Sequence, residues 1–310
     1  MPKPPVLIVV CGPTAVGKTS LSINLAKQLD AEIISADSRQ FYREMNIGTA
    51  KPSDEELATV PHHFINNISI HQKNYSAGKY EAEVLEFLND YFNKKRVALL
   101  VGGSGLFINA VCSGFDKFEE TTPDQVYVVR KLVNSKTLEW LQQEVERLDP
   151  EYYGQTDTKN PVRLKRALEV IYTTGKKYSE QRIGKKAERD FSIIKIGLSL
   201  PRELLFERIN SRVDEMMKAG LLEEVTQLYL HKKIHTINTV GYTELFDFIE
   251  DKLTLEQAVA LIKQNTRNYA KRQMTWFKRD AGIKWFQPQQ TEEIRSYIED
   301  ELQKLESGAG

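Results

Sequence analysis

Cysteine is scarce in this chain: there are two in 310 residues, Cys11 and Cys112, about a hundred positions apart and each inside an apolar stretch. That number and spacing argue against a disulfide framework and a thiolate metal site, and predict two buried free thiols in a reducing compartment. An excess of either charge is also missing, with 43 Lys and Arg against 43 Asp and Glu. Overall neutrality says nothing against a nucleic-acid partner, because local distribution decides that. Long apolar runs are absent as well. After Met1 to Pro5 the run Val6 to Val10 is too short for a signal core or a membrane span, and no later segment reaches about 20 apolar residues. A cytoplasmic protein with no membrane contact is expected. No internal repeat occurs. What remains, 41% hydrophobic and 28% charged residues, is the composition of a globular chain of one or two domains.

The run Val6 to Val10, rich in β-branched residues and followed after Cys11 by Gly12-Pro13, reads as a buried parallel strand. Helical spacing of Leu21, Leu25, Ala26 and Leu29 predicts a helix over Lys18 to Leu29. A second strand covers Glu32 to Ser35, a helix Lys79 to Phe92, and a third strand Arg96 to Val101. Strands alternating with helices predict an α/β fold with a doubly wound parallel sheet. From residue 116 to 189 the long apolar runs stop, and turn signals at Asp149-Pro150, Asn160-Pro161 and Thr174-Gly175 punctuate helical patterns. We read a mostly helical inserted domain there, between core segments 1–115 and 190–310. The core resumes with a strand over Phe191 to Leu200, a helix start at Pro201, and helices from Arg202 to Leu305. Glu306 to Gly310 reads as a frayed tail.

Gly12, Pro13, Thr14, Ala15, Val16, Gly17, Lys18 and Thr19 fit the phosphate-loop pattern G-x-x-x-x-G-K-[ST]. The glycines let backbone N–H groups converge on phosphate oxygens, and the helix that follows directs its positive end there. Lys18 is placed to neutralise a terminal phosphate and the Thr19 hydroxyl to ligate Mg²⁺. By composition the octet arises by chance in on the order of one chain in a hundred; here it also sits between a buried strand and a helix. The motif does not identify the phosphate as that of ATP. ATPases of this class hold Mg²⁺ with an aspartate after a second buried strand. Here the corresponding strand runs into Gly102-Gly103-Ser104-Gly105, whose donors suit an anion. The available carboxylate is Asp37, followed by Ser38, Arg39 and Gln40. Asp37 is either a helix cap or, at the carboxyl edge of the sheet beside the phosphate loop, a catalytic group.

Further blocks carry a specific resemblance. They are Asp37 to Tyr42, Gly48 to Pro52, Pro61-His62-His63, Gly102 to Ile108, Asn160 to Glu169, Arg212 to Met216, Val240-Gly241-Tyr242 and Thr266 to Phe277. In this order the chain resembles the tRNA dimethylallyltransferase family from residue 12 to 277. Ser104 stands where the family commonly has threonine, which keeps the hydroxyl. No Cys/His-rich C-terminal extension of the kind some eukaryotic members carry is present, which points to the bacterial type.

The resemblance implies that the phosphate loop holds dimethylallyl diphosphate and that N6 of an anticodon-loop adenosine, position 37, attacks its C1. Asp37 would be the general base. Ser104 and Arg212 would complete the catalytic set, with Arg212, Lys18, Thr19 and Mg²⁺ stabilising the leaving diphosphate; Arg212, four residues after Arg208 on a helical pattern, is otherwise part of a solvated helix face. The tRNA contacts implied are Asp37, Ser38, Arg39, Gln40, Ser104, Val162, Arg163, Leu164, Lys165, Arg166, Arg267 and Lys271, in a protein acting as a monomer. The target base must leave its stack, and Phe41, Tyr42 and Phe107 are each a stacking partner or a core aromatic.

Charge distribution supports an RNA partner. From Lys263 to Arg279 there are six basic residues and no acidic one, with Lys263, Arg267 and Lys271 four apart on one helix face. From Arg163 to Arg189 there are nine basic and three acidic residues. Such regions are either solvated faces or contacts to a phosphate backbone, and the motifs favour the second. Tyr269, Trp276 and Phe277 are expected in the core. His62, His63 and His71 lack metal-ligand spacing, and His63 is expected on the wall of the substrate pocket.

Two other readings share these features. A small nucleotide kinase or an isopentenyltransferase acting on free adenine nucleotides would need ATP or AMP and no basic insertion. A non-enzymatic RNA-binding protein would use the loop as a nucleotide switch and transfer nothing. The ordered blocks favour the tRNA enzyme.

Overall fold

The computed structural model describes residues 3–72, 75–116, 121–182 and 187–307. Met1 and Pro2, Lys185 and Lys186 of the second basic region, and the last three residues of the tail lie outside that range. The chain divides into two compact units, Met1–Cys112 with Arg189–Gly310, and Ser113–Glu188.

The first unit carries six parallel strands: β1 (Val6–Cys11), β2 (Glu32–Ser35), β3 (His62–His63), β4 (Val97–Gly102), β5 (Ser192–Leu198) and β6 (Lys284–Phe286), in spatial order β3-β2-β4-β1-β5-β6. β1 is central, in register with β4 (Val6 opposite Val97) and β5 (Val6 opposite Ser192). Every residue of β1 is buried, which is why it reads as an unbroken apolar run. Its side chains alternate between faces: Leu7, Val9 and Cys11 belong to one core, and Val6, Ile8 and Val10 to the other. Cys11 and Cys112 are free and buried, and burial pushes the Cys11 thiol up to about 12.

The helices of this unit are α1 (Lys18–Gln28), α2 (Asp54–Thr59), α3 (Ala77–Tyr91) and α4 (Gly105–Ser113), then α10 (Arg202–Lys218), α11 (Leu221–Leu228), α12 (Tyr242–Ile249), α13 (Leu255–Phe277) and α14 (Thr291–Ser307). Two short edge strands depart from the sequence reading. β3 has two residues and β6 three, too short for a period to show, and β6 interrupts the stretch expected to be helical throughout. The chain passes from β1 to β2 on one side of the sheet, and β5 and β6 extend the other. This reversal gathers the loops after β1, β2 and β4 at the carboxyl edge, where open α/β sheets hold ligands.

The second unit is helical: α5 (Pro123–Asn134), α6 (Leu138–Leu148), α7 (Pro150–Gln155), α8 (Pro161–Thr174) and α9 (Tyr178–Gln181). The three turn signals are helix boundaries. Pro150 and Pro161 open α7 and α8, where a missing N–H costs nothing, and Gly175 ends α8 at φ 73°. Asp149, fully buried, accepts from Tyr152 N and from the Ser179 N and Oγ, which ties α7 to α9. The core holds Val133, Leu141, Val145, Tyr152, Leu164, Ala167 and Leu168.

Candidate active site

The loop after β1 wraps around the N-terminus of α1. Gly12 at φ 148° and Gly17 at φ 107° supply the backbone turns, and a Cβ on Gly12 would meet the Leu198 carbonyl at 2.6 Å. Ala15 also takes a left-handed conformation, φ 63°. Lys18 Nζ donates to the carbonyls of Gly12 at 3.0 Å and Pro13 at 2.7 Å, so the ammonium is stationed inside the loop. Burial is the main cause that lowers its pKa to about 8; Asp37 opposes the shift and Arg212 adds to it. Arg208 Nη1 donates to the Val16 carbonyl at 3.3 Å, bracing the loop from α10.

This loop opens into a cavity of about 540 Å³. Thr14, Ala15, Gly17, Lys18 and Thr19 line one part of it, and Asp37, Ser38, Arg39 and Gln40 from the loop after β2 another. Asp37 Oδ1 accepts from Arg39 N at 3.1 Å, a local turn that fixes the carboxylate. Ser104 Oγ accepts from Ser38 N at 3.0 Å and donates to Ser38 Oγ at 3.2 Å, joining the loop after β4 to Asp37's own segment. Tyr269 of α13 lies over this junction, hydrogen-bonded to Ser104; burial, with help from Asp37, pushes its phenol up to about 12. Gln273, one turn further along α13, accepts from Thr14 N at 2.9 Å and donates to the Gly103 carbonyl at 2.9 Å.

Apolar side chains also line the cavity: Ile209, Val213, Met216, Leu221, Val240 and Ile262. Arg212 lines the cavity one helical turn after Arg208, its pKa lowered by burial against the pull of Glu215 and Asp37. The rim at Gly48 to Pro52 is held by Glu224, which accepts from the backbone N–H groups of Asn46, Ile47 and Gly48 and from the Tyr242 hydroxyl at 2.6 Å. Lys51, half-buried and lowered by that burial to about 8, donates to the Tyr42 carbonyl and Asn46 Oδ1 and so fastens the same rim. Among the described residues no group of three or more His, Cys, Asp or Glu is gathered to hold a metal. Thr19 and Asp37, whose side chains carry oxygens of the kind a hard cation takes, both line the cavity.

A profile of the IPP transferase family matches residues 40–280. The tRNA dimethylallyltransferase of Christiangramia forsetii is 48% identical over 96% of this chain and 98% of its own length. The chain belongs to the IPP transferase family. Membership makes it a transferase and an enzyme. The tRNA dimethylallyltransferase 1 of Bacteroides fragilis is 45% identical, covering 94% of this chain and 97% of the relative. Among solved structures, the full-length tRNA isopentenylpyrophosphate transferase of Bacillus halodurans superposes with a TM-score of 0.70 at 35% identity, over 96% of this chain and 97% of that one. A eukaryotic dimethylallyltransferase described as acting on tRNA gives a TM-score of 0.75 at 29% identity, over 88% of this chain and 69% of its own.

The structure gives the side chains singled out in the sequence different surroundings. Leu164 is fully buried in the core of the helical unit, so its side chain is closed to RNA; α8 turns it inward, while Val162, Arg163 and Arg166 stay exposed and Lys165 is half-buried. Arg166 and Arg130 both pair with the carboxylate of Glu169. Arg189 does not belong to a basic face, because it is spent on Glu81 and on the Ala110 and Val111 carbonyls. Lys263 pairs with Asp214 at 2.6 Å, and Arg267 donates to Asn210 at 2.7 Å while lying, like Lys271, over the Phe206 ring.

Gln40 spends its amide on the Thr49 and Ala50 carbonyls, and Arg39 donates to the Thr236 carbonyl. Phe41 and Tyr42 are buried, and Phe107 packs on Phe41 and Tyr80, so none of the three is a stacking platform. Tyr269 and Trp276, expected in the core, are 37% and 38% exposed, whereas Phe277 is buried. His63 pairs with Glu32 at 2.7 Å and is not on the cavity wall.

Proposed function

We propose that this chain transfers the dimethylallyl group of dimethylallyl diphosphate to N6 of the adenosine at position 37 in the anticodon loop of tRNA, releasing diphosphate. It would act in the cytoplasm as a monomer; no helix of the described residues is long and apolar enough to cross a membrane. The observation that carries the reading is a single cavity in which a phosphate loop, a fixed carboxylate and an apolar wall meet. The phosphate loop takes the diphosphate, the apolar wall has the character of the five-carbon chain, and Asp37 stands by for N6.

In the reaction the N6–C1 bond forms as the C1–O bond breaks, the bonding pair leaves on diphosphate, and the N6 proton passes to Asp37. The charge that grows on the leaving group falls where Lys18, the loop amides and Arg212 are already placed. An amine conjugated into a purine is a weak nucleophile, so leaving-group stabilisation and positioning carry more of the barrier than the base. Thr19 offers one hard oxygen to Mg²⁺, an ion that keeps waters and takes phosphate oxygens as ligands, so the donor set fits it. When bound, the ion would neutralise diphosphate charge.

The relatives' names and the basic exposed Arg163 and Lys271 support an RNA acceptor. The deciding assay supplies radiolabelled dimethylallyl diphosphate, Mg²⁺ and unmodified tRNA, beside free AMP and without ATP. Label is expected in tRNA and not in AMP. Transfer to AMP alone, or ATP consumption alone, would sink the assignment.

A further inference from the structure

Gln273 is buried to 6% exposure and makes two hydrogen bonds, each to the backbone of a different catalytic loop. Its carbonyl holds the Thr14 amide of the phosphate loop, and its amino group holds the Gly103 carbonyl, one residue before Ser104. Gly103 is needed for this approach, because a Cβ there would lie 2.3 Å from Gln273 Nε2. Around Gln273, α13 packs on the same loop twice more. Tyr269, one turn earlier, reaches Ser104, and the Trp276 ring lies where a Cβ on Gly105 would fall, 2.2 Å away. The β4 loop in turn hydrogen-bonds the Asp37 segment through Ser104 and Ser38. A chain of contacts therefore runs from the phosphate loop through one side-chain amide to the segment bearing the base.

We propose that Gln273 is a positioning residue that sets the spacing between the diphosphate held by Gly12 to Thr19 and the acceptor amine held at Asp37. The inference rests on the transferase reading above. A primary amide is required because one partner is a donor and the other an acceptor, one meeting the amide oxygen and the other the amide nitrogen. If the tie fails, each loop keeps its own ligand but the reacting atoms lose their alignment. A misplacement of about 1 Å is worth on the order of 10²-fold in rate.

The test compares Gln273→Met and Gln273→Glu with wild type, reading single-turnover transfer with both substrates saturating, the Kd for inorganic pyrophosphate with Mg²⁺, the Kd for tRNA, and the melting temperature. Both variants are expected to transfer on the order of 10²-fold more slowly, with both Kd values within about threefold of wild type. In the Gln273→Glu variant the ionised carboxylate keeps the bond from Thr14 but opposes the Gly103 carbonyl, whereas the protonated acid restores a donor there. The ratio of Gln273→Glu to wild-type rate should therefore climb as pH is lowered from about 8 to about 5, while the Gln273→Met ratio stays flat. Normal single-turnover transfer by Gln273→Met would overturn the proposal. So would a rate loss matched by an equal loss of pyrophosphate affinity, or a flat Gln273→Glu ratio. Wild-type transfer in the same assay checks the transferase reading separately.

Discussion

Raising the pH from 7 to 9 should cost the free enzyme about tenfold in kcat/KM for dimethylallyl diphosphate, because it discharges Lys18. Burial in the phosphate loop lowers this lysine to about 8. The sign follows from the direction: the ammonium that the diphosphate needs is present below that value and lost above it. A group with that pKa is about 90% protonated at pH 7 and about 9% at pH 9, which gives the tenfold. The diphosphate does not compensate, since its last ionisation resembles that of a phosphate ester, about pH 6. Once bound, two phosphates beside the amine raise its pKa again, so kcat should stay nearly level over the same range. The distinction is measurable because kcat/KM for dimethylallyl diphosphate reports the enzyme before that substrate binds and kcat the complex with it. Gln273 and Asp37 are unaltered in this experiment, and tRNA is held saturating. Lys18→Arg serves as the control: its guanidinium stays charged throughout, so activity is lower from altered geometry and the limb that Lys18 contributes is gone, any remainder belonging to Lys51, also lowered to about 8. A level wild-type kcat/KM up to pH 9, or an identical limb in Lys18→Arg, would refute the assignment of the limb to Lys18.

Asp37→Ala is expected to nearly abolish transfer while leaving tRNA affinity largely intact; lost tRNA binding with normal turnover of the bound complex would contradict its role as base. Thr19→Val removes the hydroxyl offered to Mg²⁺, and the concentration of Mg²⁺ giving half-maximal transfer should rise at least severalfold; an unchanged requirement would place the ion elsewhere. Tyr242→Phe strips the phenol from Glu224 and should cost about 1–2 kcal/mol, read as a fall of a few degrees in melting temperature. Leu164→Ala and Arg163→Ala separate packing from RNA contact on one helix. The first should destabilise the helical unit by about 2–5 kcal/mol, whereas the second should leave stability unchanged and lower the salt slope of tRNA binding by about 1.

The sheet was legible because its central strands are buried on both faces and so spell themselves as continuous apolar runs: Val6–Cys11 and Val97–Gly102 needed nothing else. β3 and β6 were not, since two or three residues carry no period and their pairing is decided by neighbours distant in sequence. The phosphate loop was legible for a different reason, namely that its backbone geometry demands glycine at fixed spacing. What sequence could not show is which way a helix faces. On α8, Leu164 and Arg163 are adjacent, yet one is core and the other exposed; the apolar identity of Leu164 was the available clue. On α13 the order was reversed: Tyr269 looked like core and lines the cavity, while Gln273, a polar residue with no motif chemistry of its own, is buried between two loops. Its signal was indirect, since a buried amide must find partners for both ends, and the neighbouring glycines at 103 and 105 mark where a helix comes close.

That reversal bears on how the site works. The residues given chemical roles in the proposed reaction, Lys18, Asp37 and Arg212, come from three separate elements: the start of α1, the loop after β2, and α10. A weak amine nucleophile gains little from a stronger base but much from being held at the right distance from the allylic carbon. Such an active site places its demands on the residues that keep loops in register. α13 answers them from one face with Tyr269, Gln273 and Trp276, while Lys271 on the same helix stays exposed. Lys271 stands two residues from both Tyr269 and Gln273, so a phosphate bound there meets the helix away from the face that ties the catalytic loops. Lys271→Ala should accordingly weaken tRNA binding at low salt more than at high salt, yet leave single-turnover transfer unchanged once tRNA saturates. A fall in that saturated rate would mean that the RNA contact itself sets the alignment, a role here given to Gln273.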